Sequence, residues 1–97
     1  MFDKVKEWEH FVDTSVGKTF DLKISVLYNV LLDLCIEYNS TLIVTSDEYL
    51  SRQTNMKLNT LKGHLTRLLD TNVVSLTEKN LGRGVYEFNV TLPSTIN

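Results

Sequence analysis

The sequence predicts an α+β fold, with helices through the first two-thirds of the chain and a small antiparallel sheet completed near its C-terminal end. Three observations predict it. Apolar residues recur at helical spacing between Ile24 and Tyr38. Two shorter amphipathic segments meet at Asn55, with no Pro or Gly between them. Two alternating apolar runs, "VVSLTE" and "VYEFNVTL", flank the Gly-containing stretch "KNLGRG". Ninety-seven residues, about two-fifths of them apolar, suit one domain over 1–97 rather than two.

The first element expected is an N-terminal helix over about 3–13, within a 1–16 extension, where Val5, Trp8 and Val12 repeat at three and four residues. Gly17 breaks that pattern. In the central helix, Ile24, Leu27, Tyr28, Leu31, Leu34, Cys35 and Tyr38 form the stripe, and Val26, Val30 and Leu32 widen it. Cys35 lies among leucines and is expected to behave as a buried hydrophobe. "YNST" ends this helix, and the β-branched "TLIVT" at 41–45 predicts a strand. Thr45 or Ser46 then caps a short helix running to about Gln53. Thr45 with Glu48 has capping-box spacing, and Asp47 and Glu48 suit the positive end of the helix dipole. Tyr49 and Leu50 are its inward residues.

Asn55 suits a tight turn, since Asn tolerates the left-handed conformation. The next helix, about 57–71, carries Leu61, Leu65, Leu68 and Leu69 as its apolar stripe and ends at Asn72. Its other faces carry Asn59, Thr60, Lys62, Gly63, Thr66 and Arg67 rather than the Glu–Lys pairs common on solvated helices. In the two strands that follow, Val74 and Leu76, then Tyr86, Phe88 and Val90, alternate inward. Gly82 and Gly84 supply the hairpin tip, which Lys79 and Arg83 decorate, and Pro93 closes the last strand.

Charge is distributed unevenly. The formal net charge is −2. Residues 1–56 hold five basic and nine acidic side chains, whereas 57–97 hold Lys57, Lys62, Arg67, Lys79 and Arg83 against Asp70, Glu78 and Glu87. Those five cations fall on one helix and one hairpin, so a local positive face is expected on an acidic protein. No paired-carboxylate, phosphate-loop or metal-ligand spacing occurs, and His10 and His64 fall on different helices. An enzyme is therefore not expected, nor is a cofactor or a metal. The mixed-charge N-terminus matches neither a signal nor a transit peptide, and no apolar run approaches the roughly 20 residues of a membrane span. The expected location is the cytoplasm.

The stretch "TNMKLNTLKGHLTRLLDTNVV", residues 54–74, resembles the winged helix-turn-helix DNA-binding superfamily, which includes bacterial regulators and phage and plasmid replication proteins. Members often read Thr-Gly, a hydrophobe, Ser, two polar residues, Thr, Val, and end in Gly and two aliphatics. Here the frame holds without a gap as Thr54, Asn55, Met56, Lys57, Leu58, Asn59, Thr60 and Leu61, ending in Asn72, Val73 and Val74. Asn stands for each family glycine. Lys57 replaces the usual capping Ser, so Asn55 or Asn59 is the expected cap, and Gly63 departs from the pattern within the helix.

The resemblance spans 22–92 and implies a three-helix core and a small antiparallel sheet with a wing at 79–84, with the expected N-terminal helix lying outside it. It also implies sequence-specific binding of double-stranded DNA by a small transcriptional regulator. In such a domain Lys57, Asn59, Thr60, Lys62, Gly63 and His64 would face the major groove, and Thr66 and Arg67 would reach phosphates. Lys79 and Arg83 would lie at the adjacent backbone or minor groove, with Ser46 holding one more phosphate. The family usually dimerises on two half-sites, so a homodimer is expected, with Phe2, Val5, Trp8, Phe11 and Val12 as its contact. Plasmid or phage replication or partition is the alternative role. A winged-helix protein-interaction module without DNA binding is the alternative of another class.

Overall fold

The computed structural model describes residues 6, 7, 9, 22–77 and 81–92. These form three helices and one three-stranded antiparallel sheet: α1 (Leu22–Tyr38), β1 (Leu42–Ser46), α2 (Asp47–Thr54), α3 (Leu58–Asp70), β2 (Val74–Leu76) and β3 (Val85–Val90). The strand order is β1-β3-β2, so the last strand lies in the middle. Lys6, Glu7 and Glu9 are helical, and Glu7 is buried. The rest of the expected N-terminal helix lies outside the described residues, as do its proposed contacts Phe2, Val5, Trp8, Phe11 and Val12.

Helix α1 is the pillar. Leu27, Tyr28, Leu31, Leu32 and Cys35 have at most 1% exposure, and α1 packs against α2, α3, β1 and β3. Its breadth of burial matches the wide apolar arc of its sequence. Tyr38, expected on the same stripe, is 59% exposed in the last turn of the helix, at a hollow shared with Val44 and Tyr49. Leu61, Leu65 and Leu68 of α3 face inward and each contribute on the order of 2 kcal/mol by leaving water. Truncating Leu61 to Ala would leave a cavity costing roughly 2–5 kcal/mol.

The sheet follows a two-residue alternation. Ile43 opposite Phe88 and Val74 opposite Val90 point into the core, while Leu42 opposite Asn89 lies on the exposed face. Leu76 departs from the expectation. It lies opposite Phe88 yet is 47% exposed, at the end of a three-residue edge strand. On the other edge, Ser40 Oγ both accepts from the Leu42 amide and donates to its carbonyl, blunting that edge against pairing.

Each of α1, α2 and α3 is followed by an Asn at positive φ: Asn39 at 49°, Asn55 at 57° and Asn72 at 63°. The left-handed residue reverses the chain and brings its amides back onto the last helical carbonyls. At Asn55 the turn is fixed twice. The Asn55 and Met56 amides both bond the Ser51 carbonyl, and the Ser51 hydroxyl donates to the Met56 carbonyl. Met56 is buried beneath this turn, so α2 and α3 are joined by three residues at a fixed angle.

Candidate nucleic-acid interface

The start of α2 anchors one side of the site. Ser46, not Thr45, is the N-cap: its hydroxyl accepts from the Tyr49 amide at 3.1 Å, while Thr45 is enclosed in β1. The expected Thr45–Glu48 capping box therefore does not form. Thr45 lies opposite Tyr86 on the inward side of the ladder, so its side chain is turned away from the helix start. The Asp47 amide donates to the Gly84 carbonyl at 2.9 Å, tying the first turn of α2 to the root of the hairpin. Ser46 keeps its hydroxyl proton for a ligand, but the Asp47 amide is already engaged.

Helix α3 begins at Leu58 with Lys57 in the N-cap position, extended and without a side-chain cap bond. Neither Asn55 nor Asn59 takes that role. Asn55 is committed to the left-handed turn that ends α2, and Asn59 lies within the first helical turn. An uncapped helix start leaves amide hydrogens able to meet an acceptor. Helical geometry puts Asn59, Gly63, Thr66 and Asp70 along the middle of the exposed face, with Thr60 and Arg67 on one side and Lys62 on the other. Lys57, Asn59, Thr60, Lys62, Gly63, Thr66 and Arg67 are all exposed.

Among the described residues, none packs against Gly63. A Cβ built there would meet no atom within 4 Å, so close packing against another element does not explain the glycine. Thr66 donates its hydroxyl to the Lys62 carbonyl at 3.0 Å, which turns that donor back onto the helix and away from any phosphate. His64 is half-buried, and its Nδ1 is enclosed without a hydrogen bond. That nitrogen faces the protein rather than a groove. Its position between Leu61 and Leu68, three and four residues away, already put it at the margin of the apolar stripe.

The hairpin supplies the far wall. Gly82 and Gly84 adopt φ of 109° and 73°, backbone conformations that side-chain-bearing residues rarely take. Thr77 extends the stem beyond β2. Its amide bonds the Glu87 carbonyl, and its hydroxyl donates to the Glu87 carboxylate at 2.8 Å. Lys79 lies outside the described residues, while Arg83 is exposed.

These parts converge on a groove of about 400 Å³ lined by Ser46, Asp47, Glu48, Leu58, Lys62, Arg83, Gly84 and Val85. It brings together three of the contact residues expected from sequence, namely Ser46, Lys62 and Arg83, with Leu58 between them. Leu58 is 39% exposed and, with Glu48, lines both this groove and a second hollow that includes Ser51 and Arg52. Asp47 and Glu48 were legible from sequence only as helix-dipole partners. Their place in the groove depends on the pairing of β1 with β3, which brings Gly84 over Asp47.

Among the described residues no helix is long and apolar enough to cross a membrane. Compared with models of known protein families, with curated proteins and with solved structures, the chain matches none.

Proposed function

We propose that the chain is a winged helix-turn-helix domain that binds double-stranded DNA sequence-specifically, acting in the cytoplasm as a small transcriptional regulator rather than as an enzyme. The observation that carries this reading is the exposed polar face of α3. Its first turns present Lys57, Asn59, Thr60 and Lys62 to solvent, and of these Lys62 shares a groove with Arg83 of the hairpin. The element order supports it too, with α2 and α3 joined by a fixed three-residue turn and the β2–β3 hairpin following. In this reading α3 enters the major groove, with its N-terminal residues at base edges. Asn59 pairs with adenine, Lys57 or Lys62 donates to guanine, and the Thr60 methyl and Leu58 touch thymine methyls. Arg83 and Lys79 hold the adjacent backbone or minor groove.

The cations available for phosphates are few, so a monomer binds weakly and a homodimer on two half-sites is the effective form. The same chemistry serves a replication or partition factor. Fluorescence anisotropy with random duplex DNA and with the duplex upstream of the coding sequence, across a salt series, tests the reading. Binding with a salt slope of several units supports it, and tighter binding to the upstream duplex points to autoregulation. A flat anisotropy at low salt with both duplexes removes it. That result would favour a protein-interaction module, a second reading to which the exposed Leu58 beside the Asp47 and Glu48 carboxylates gives weight.

A further inference from the structure

The groove beneath the hairpin holds two carboxylates as well as two cations, and the arrangement is built rather than incidental. Asp47 is 9% exposed. Its amide donates to Gly84, and a Cβ on Gly84 would come within 3.0 Å of the Asp47 carboxylate, so the hairpin root closes over this side chain. Among the described residues neither a hydrogen bond nor an ion pair engages that carboxylate, although Lys62 and Arg83 line the same groove. Glu48, on the next residue of α2, lines it as well and is exposed. Two cations facing a shared hollow would ordinarily draw a phosphate between them. Two carboxylates in that hollow repel it.

We propose that Asp47 and Glu48 keep phosphate out of the groove floor, so that a DNA backbone is held on the two rims, by Lys62 of α3 and Arg83 of the hairpin, and the duplex is admitted in one register. This inference rests on the DNA-binding reading. Base contacts hold a matched duplex in the register where phosphates already sit on the rims. An unmatched duplex samples many registers, including those that push a phosphate against the carboxylates. The acidic pair therefore weakens unmatched complexes more than matched ones and acts as a specificity determinant without touching a base.

The test compares the unmodified protein with Glu48→Gln and Asp47→Asn, using random duplex DNA and the best duplex that the unmodified protein selects from a random library. Anisotropy is read across a salt series, and circular dichroism checks folding. Glu48 is exposed, so Glu48→Gln carries the test if Asp47→Asn disturbs the hairpin root. The expected result is a rise of about threefold or more in random-duplex affinity at low salt, with the salt slope steeper by about one unit as an extra phosphate enters. Affinity for the selected duplex changes less than twofold. Equal rises for both duplexes mean a general charge effect and overturn the register role, as does no rise for either. Failure of the unmodified protein to bind any duplex is a different outcome, which removes the DNA-binding reading and this inference with it.

Discussion

The Tyr28 hydroxyl donates a 2.6 Å hydrogen bond to the carbonyl of Thr91, joining the middle of α1 to the residue just past β3. Tyr28 is fully buried, and the Thr91 residue that accepts its proton is half-buried. The contact pins the central strand of the sheet to the pillar helix across 63 residues of sequence. Tyr28→Phe keeps the ring packing but strands the Thr91 carbonyl. It is expected to cost about 1–2 kcal/mol in urea unfolding at neutral pH. An unfolding midpoint equal to that of the unmodified protein would show that water satisfies the carbonyl instead.

Two buried protons are expected to make the fold sensitive to alkali. Burial pushes the Cys35 thiol up to about 11. The Tyr28 hydroxyl is pushed up as well, by burial first and then by the negative charges of Cys35 and Glu7. Both groups hold their protons more tightly folded than unfolded, so the unfolded chain ionises first, from roughly pH 8.5 for the thiol and pH 10 for the phenol. The stability they contribute is complete below that range and is lost as pH rises through it. Melting temperatures measured from pH 7 to 11 should be level to about pH 8.5 and then fall. Cys35→Ala should lower the melting temperature at pH 7 through its cavity, yet flatten the decline between pH 9 and 10. A profile equally steep in both proteins would assign the alkaline loss elsewhere.

Asn55 occupies a left-handed position between α2 and α3 that a residue with an ordinary side chain enters at a penalty. Asn55→Ala is expected to destabilise by about 1 kcal/mol, whereas Asn55→Gly should be neutral or mildly stabilising. The α2–α3 angle depends on this turn, so under the proposed function the Ala variant should also lose DNA affinity beyond its loss of stability. Chemical unfolding of the three proteins decides the first part. Equal stability of the Ala and Gly variants would mean that the turn does not depend on the left-handed conformation.

Much of this architecture was legible because it rests on local chemistry. Helical spacing located α1 and α3, β-branched alternation located the strands, and Asn55, Asn72, Gly82 and Gly84 marked places where φ turns positive, whereas Asn39 was read only as part of the helix end. What was not legible depends on which elements meet. Thr45 and Ser46 are equally good caps in sequence, and the pairing of Thr45 with Tyr86 decides between them. Leu76 and Tyr38 keep the apolar rhythm but lie beyond the cover of the neighbouring elements. His64 looked like a flank residue of the exposed face until packing enclosed its Nδ1. That Asp47 and Glu48 share a groove with Lys62 and Arg83 was hidden for the same reason, since residues 47 and 84 meet only when the sheet forms.

Gly63 separates stability from recognition. A glycine inside an exposed helix costs about 1 kcal/mol relative to Ala, and the added methyl of Gly63→Ala has open space in front of it. The substitution should therefore raise the melting temperature by several degrees. Under the proposed function, the same methyl stands on the line of Asn59, a short side chain that reaches a base only if the helix lies close. Affinity for the selected duplex should then fall about tenfold, which corresponds to about 1.4 kcal/mol. Random-duplex affinity, governed by Lys and Arg at the backbone, should change less than twofold. Calorimetry and anisotropy on one preparation read both effects. A more stable protein with undiminished affinity would mean that no ligand comes close to Gly63, and that α3 meets its target through Lys57, Leu58 and Lys62 alone.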